Sequence, residues 1–213
     1  MIMLSLKEIF EADFPSDFGT DDGVCYEYPS IFSEDEIAYG VSKFVIFLDD
    51  DFVIKIPFNG EWGWSYEDEE SVFDPFFCQD YCAVEEEIYN KAYEEGLEMF
   101  FARTKFIGFG KNHTPIYQSE RVILYGSQEG SKIADKKAPS KDSQNKANDA
   151  INDDYCSLPF GWLARAYDFY GEEKVKKLIK FIYDTGLEDF HNGNIGFRKN
   201  GAPVLLDYSD FHE

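Results

Sequence analysis

The stretch that most constrains the fold is Asp51–Phe58, DFVIKIPF, in which one lysine, Lys55, interrupts an apolar strand. Side chains alternate between the two faces of a strand, and the neighbours of Lys55 leave it partly buried. An ammonium withdrawn from water is costly unless an anion meets it. The fold must then bring a carboxylate, a phosphate or both to Lys55. The other reading is an edge strand whose lysine points into solvent. Residues 42–58, SKFVIFLDDDFVIKIPF, read as two apolar strands around the acidic turn Asp49–Asp51, a hairpin.

A carboxylate is available in the next periodic segment. A helix is predicted over about 81–100, with Val84, Ile88 and Ala92 on one face. Glu85 lies near that face and can reach Lys55, and Glu86 is the next candidate. Equally, Glu85–Glu87 suit a helix N-terminus as solvated acids, favoured there by the helix dipole.

Residues 4–13 read as a short amphipathic helix, and 59–80 as an acidic, aromatic loop holding Trp62 and Trp64. TKFIGFG and TPIYQS form another strand pair around a Lys-Asn-His turn that contains His113. Residues 127–150 are polar and low in complexity, the composition of a mobile insertion. FGWLARAYDFYG is helical, and EEKVKKLIKFIYDTG is the clearest helix, with acids first, lysines later and a closing glycine. Two short strands, Ile195–Phe197 and Val204–Leu206, flank the turn RKNGAP. This order gives an α+β fold: a strand-rich N-terminal part over 1–126, the insertion over 127–150, and a reduced helical part over 151–213.

Charge narrows the partners. Of the 42 acids and 20 bases, 26 acids and 4 lysines fall in residues 1–100, so the whole net charge of −22 sits there. Such a surface repels nucleic acid, and direct binding to DNA or RNA is disfavoured. It suits a basic protein partner, or mimicry of a nucleic acid. Aromatic residues at 18% argue against disorder. No apolar run reaches the roughly 18 residues of a membrane span. The opening MIMLSL is too short for a signal peptide and has no basic segment before it. The four cysteines, Cys25, Cys78, Cys82 and Cys156, fit no zinc spacing and read as reduced thiols of a cytoplasmic protein. Cys78 and Cys82 can share a helix face, or serve as small core residues.

The densest chemistry lies near the end, in LEDFHNGNIGF over 187–197 and VLLDYSD after it. Asp189 and Asn194 precede a hairpin that delivers Asp207 directly after an apolar strand. The hairpin brings Asn194 and Asp207 to the same end, where their oxygens suit Mg²⁺. Asp189, on the preceding loop, is placed to orient a hydroxyl nucleophile. These residue types also form turns for their own sake.

DFHNGN followed by LLDYSD resembles the catalytic loop and metal-binding triplet of the protein-kinase-like superfamily, closest to its aminoglycoside-phosphotransferase and phage-kinase branch. VIKIPF resembles the lysine strand of that superfamily and VEEEIY its ion-pair helix. The resemblance covers about residues 35–126 and 155–213. It implies a minimal two-lobed kinase-like fold with ATP and Mg²⁺ between the lobes, in a cytosolic protein of phage or bacterial origin. Lys55 would hold the α- and β-phosphates and pair with Glu85. Gly40 would belong to the phosphate loop, and Gln118–Arg121, including Glu120, would be the hinge at the adenine. Asp189 would be the catalytic base, and Asn194 and Asp207 would bind the metal. His191 matches the loop's structural histidine and is read as an organiser; His113 and His212 have no assigned partner.

The sequence departs from that pattern in places. AYGVSKF offers only Gly40 where a glycine-rich loop is expected, the triplet reads Asp207-Tyr208-Ser209, and six residues follow Asp207. The preferred expectation is an ATP–Mg²⁺-dependent phosphotransferase acting on a hydroxyl. The alternative is a pseudokinase-like acidic protein that binds and inhibits a basic host protein, as a nucleic-acid mimic or otherwise.

Overall fold

The computed structural model describes residues 5–14, 32–33, 37–39, 43–57, 61–65, 70–74, 80–136, 138–152 and 156–208. The chain divides into two compact units, Met1–Glu86 with Thr104–Glu120, and Glu87–Arg103 with Arg121–Glu213.

The first unit begins with α1 (Leu6–Glu11), started by a capping box in which the Ser5 side chain and Glu8 satisfy each other's backbone amides. Strands β1 (Ile37–Tyr39), β2 (Lys43–Phe47) and β3 (Phe52–Pro57) follow. The expected hairpin is β2–β3, and the acidic turn has a mechanical reason. Asp49 Oδ1 accepts from the amides of Asp51 at 2.7 Å and Phe52 at 2.8 Å, a side-chain-closed turn. Residues 59–80 were expected to be loop throughout, but β4 (Glu61–Ser65) and β5 (Glu70–Asp74) pair as a hairpin with Trp62 opposite Phe73. The aromatic and β-branched residues there carry a strand propensity that the surrounding acids obscure. Strands β6 (Thr104–Phe109) and β7 (Pro115–Glu120) complete an antiparallel sheet of order β1-β2-β3-β7-β6.

Register decides what each face of this sheet carries. Phe44 opposite Ile56 and Ile46 opposite Ile54 form an apolar face with Ile116, covered by Ile9 of α1, Phe14 and Phe32. The alternate positions carry Lys43, Lys55, Tyr117, Ser119 and Thr104, and α2 (Tyr81–Glu94) turns Glu85 onto them. Asp80 starts α2 by accepting the Ala83 amide at 3.0 Å. The helix was expected to reach residue 100 but ends at Glu94, because Gly96 takes φ 69° and Leu97 N bonds back to Ala92 O. Its buried stripe is Cys82, Glu85, Ile88 and Ala92, while Val84 is only half-buried. The division between the units falls within α2, after Glu86.

The second unit contains β8 (Ile123–Leu124), α3 (Gln128–Lys136), α4 (Lys141–Asn152), α5 (Phe160–Tyr170), α6 (Glu172–Thr185), β9 (Ile195–Phe197) and β10 (Pro203–Leu205). Its small sheet runs β10-β9-β8. Gly196 is required in β9, since a Cβ there would lie 2.4 Å from the Ile123 carbonyl oxygen of β8. The core gathers Trp162, Leu163, Val175, Leu178, Phe197 and Val204, and Phe101 stacks edge-on against both Phe181 and Tyr208. Helix α6 ends at Gly186, φ 68°, as its composition predicts.

The polar segment 127–150, expected as a mobile insertion, instead forms α3 and most of α4. Ser127 caps α3 and Ser140 caps α4 through their hydroxyls. Asp168 of α5 accepts from Ser140 N, Ser140 Oγ and Ser143 Oγ at 2.6–2.9 Å, and Lys146 bridges Asp142 and Glu172 at 2.6 and 2.9 Å. Docking here runs through hydrogen bonds and ion pairs, with Ala147 as the main apolar contribution. A reading that looks for apolar periodicity misses such an attachment.

The chain is thus α+β, with a strand-rich first unit and a helix-rich second. Among the described residues, no helix is long and apolar enough to cross a membrane.

Candidate functional site

The first unit holds a buried charge cluster. Lys55 Nζ donates to Glu85 Oε2 at 2.5 Å, and Lys43 Nζ donates to Glu85 Oε1 at 2.6 Å. Thr104 Oγ1 donates to Glu85 Oε2 at 2.7 Å and lies 3.0 Å from Ser119 Oγ. Glu85 is 0% exposed, Lys43 3% and Lys55 4%. Lys55 is therefore no edge-strand lysine in solvent, and Glu85 is the carboxylate that meets it. Glu86, the second candidate, instead accepts the Phe106 amide at 3.1 Å. With both carboxylate oxygens engaged from different sides, Glu85 has one orientation, and it holds the Lys55 ammonium in place.

Beside the cluster, Tyr117 stands opposite Lys55 in the sheet and donates its hydroxyl to Asp80 Oδ2 at 2.6 Å. Burial, and then that carboxylate, push its phenol up. Burial likewise pushes the Cys82 thiol up, which suits a core thiol and not a reactive one. Among the described residues Cys82 and Cys156 are free thiols; Cys25 and Cys78 lie outside them.

Gln118 and Glu120 occupy the alternate positions of β7, opposite Ile54 and Phe52, so their side chains take the face away from Lys55. The division between the units falls at Glu120–Arg121, inside the stretch read as a hinge. Gly40 lies outside the described residues, as do Ser209 and His212.

The second unit holds the other set. Asp189 follows α6 with φ 59°, a left-handed conformation that aspartate tolerates better than most residues. Its carbonyl accepts from His191 N at 3.0 Å. Asn194 Nδ2 donates to that carbonyl at 2.9 Å and to Asp189 Oδ2 at 3.1 Å. Those bonds orient the carboxamide, fixing which end presents its oxygen. His191 Nδ1 accepts the Gly193 amide at 2.9 Å, which places the imidazole proton on Nε2, 3.6 Å from Asp189 Oδ2. The histidine thus shapes the loop, and its carbonyl also accepts Asn194 N at 2.9 Å.

Asp207 follows β10, and the amide of the preceding Leu206 bonds to Asn194 O at 3.1 Å. On its other side Tyr208, fully buried, donates to Ala102 O at 2.6 Å. Asn194 and Asp207 are therefore carried on backbones that are bonded to each other. A carboxamide oxygen and a carboxylate are hard oxygen donors of the kind Mg²⁺ takes alongside phosphates and water. Among the described residues no group of three or more His, Cys, Asp or Glu side chains could hold a metal ion. The Asn194–Asp207 pair contains one such side chain.

Sequence reasoning missed Lys43, Thr104 and Ser119. Lys43 had a signal: it lies on the strand paired with that of Lys55, and once Val45 faces Lys55, alternation puts both lysines on one face. Thr104 and Ser119 needed the pairing of β6 with β7.

No family model and no curated protein matches this chain. Among solved structures it resembles a SAICAR synthetase (Type-2) in complex with ADP, at 16% sequence identity and a TM-score of 0.34, covering 81% of this chain and 80% of that one.

Proposed function

We propose that this protein is a kinase-like phosphotransferase that uses ATP and Mg²⁺ to phosphorylate a hydroxyl, nearest in motif to the aminoglycoside-phosphotransferase and phage-kinase branch. The observation that carries the reading is the 2.5 Å pair between Lys55 and the fully buried Glu85. In phosphoryl transfer such a pair holds a lysine against the α- and β-phosphates. The division of labour follows from each residue's surroundings. Lys55 binds and positions the phosphates, held by Glu85. Asp189, half-exposed and propped by Asn194, orients the acceptor hydroxyl and takes its proton. Asn194 and Asp207 would hold Mg²⁺, which supplies charge neutralisation at the phosphoryl oxygens. The test is incubation with γ-labelled ATP and Mg²⁺, alone and with a bacterial lysate. Transferred label that disappears in Asp189→Ala supports the reading; label that persists in that variant refutes the role of Asp189.

A second reading is an acidic interaction protein that binds and inhibits a basic host protein. The net charge of the first hundred residues favours it, as does the exposure of Glu8, Glu11, Asp13, Asp50, Asp51 and Glu87. Absence of label transfer, together with a basic partner recovered only at low salt, would favour this reading over the first.

A further inference from the structure

A cavity of about 350 Å³ opens in the second unit among α3, α5 and the β9–β10 turn. That volume lies within the roughly 300–1,000 Å³ of small-molecule pockets. Its ionisable lining is Lys136, Arg165 and Lys199 against one acid, Asp168, a formal charge of +2 in a protein of net charge −22. That acid also accepts from Ser140 and Ser143, and the lining as a whole carries a net positive charge.

Two of the three cations sit on fixed supports. Arg165 Nη2 donates to the Ala134 carbonyl, and its guanidinium carbon lies 5.9 Å from the centre of the Phe197 ring, so the plane of the fork is set. Lys199 is held on a tight turn. Gly201, φ 84°, donates its amide to Arg198 O at 2.8 Å, and Asn200 Oδ1 accepts the Ala202 amide at 3.0 Å. Ile133 and Phe169, the latter 50% exposed, add apolar lining beside the turn residues Asn200 and Gly201. An exposed phenylalanine beside clustered cations is a surface for a flat apolar body that carries an anion.

We propose that this cavity binds a small organic phosphate monoester, with its phosphate on Lys136, Arg165 and Lys199 and its flat body against Phe169. The charge selects the anion: a phosphate monoester carries about −1.5 to −2 at pH 7, against −1 for a carboxylate, and so matches the +2 lining. The guanidinium fork suits its planar pairs of oxygens.

The test uses the full chain, ¹⁵N-labelled, titrated with phenyl phosphate, inorganic phosphate and benzoate at low and physiological salt. Phenyl phosphate should shift the amides of 133–136, 165–169 and 199–201, and bind at least about tenfold more tightly than either control. Lys136→Glu with Lys199→Glu, both exposed positions, should weaken phenyl phosphate at least about tenfold. Phe169→Ala should bring phenyl phosphate down to the affinity of inorganic phosphate. Equal binding of the three probes, shifts confined to other residues, or unchanged binding in the double variant would each overturn the proposal.

Discussion

Replacing Glu85 with glutamine removes one charge and keeps the shape, which makes it a direct probe of the buried cluster. In the native cluster each carboxylate oxygen accepts from a lysine, at 2.5 and 2.6 Å. A glutamine amide has one oxygen and one NH₂, so in either orientation the NH₂ faces an ammonium. Two lysines at 3% and 4% exposure would then share no carboxylate with each other. Breaking a buried pair by removing one partner typically costs about 3–5 kcal/mol. For a protein of this size each kcal/mol moves Tm by about 2–4 °C, so a fall of about 6–20 °C is expected. Lys43→Met should cost less, because it leaves the Lys55–Glu85 pair intact at neutral charge. Thermal unfolding followed by circular dichroism measures both. A Glu85→Gln variant melting within about 2 °C of wild type, or one less damaged than Lys43→Met, would refute the view that Glu85 is the shared anion of this cluster.

Asp189→Ala should abolish phosphate transfer yet leave ATP affinity nearly unchanged, because a base acts on the acceptor and adds little to nucleotide binding; parallel transfer and binding assays decide it. Deleting 127–150 behind a short Gly/Ser bridge should lower the urea midpoint clearly, since it removes the Asp168 and Glu172 attachments; an unchanged midpoint would show that α3 and α4 contribute nothing to stability. Lys176 and Lys146 hold the Glu172 carboxyl down at about 2, against an ordinary value of 4.5. With the folded value depressed, the stabilisation is complete above about pH 4.5 and lost as pH falls toward 2, so a carboxyl NMR titration should place its midpoint well below the ordinary glutamate value. A basic protein partner, if captured from lysate, should associate more slowly as salt rises from low to physiological, while dissociation changes less.

Local signals carried much of the fold into the sequence. The Asp49 turn, the Gly186 stop and the apolar alternation of β2 and β3 each rest on neighbours a few residues apart, and all three are where the sequence places them. The Lys55–Glu85 pair, 30 residues apart, was legible because burying a charge forces a search for its counter-ion. Lys43 went unassigned because its role depends on register, and Thr104 because it depends on strand order. The helices α3 and α4 were illegible for another reason. Composition scores apolar faces, whereas α4 is attached by Ser140, Ser143 and Lys146 to Asp168 and Glu172, and α3 by Arg165 at the Ala134 carbonyl. The loop Asp189–Asn194 was readable as a motif, but the asparagine's two bonds to Asp189, which orient it, appear only in three dimensions.

The proposed use of ATP and Mg²⁺ is tested most directly by the melting temperature with millimolar ATP, with and without Mg²⁺. At a hundred times the dissociation constant a ligand adds about 2.7 kcal/mol, which at this chain length is a rise of about 5–10 °C. The account predicts that rise only with ATP and Mg²⁺ together, and its loss in most part on Asp207→Asn and on Lys55→Met. No rise in the wild-type protein, or an equal rise without a divalent ion, would contradict it.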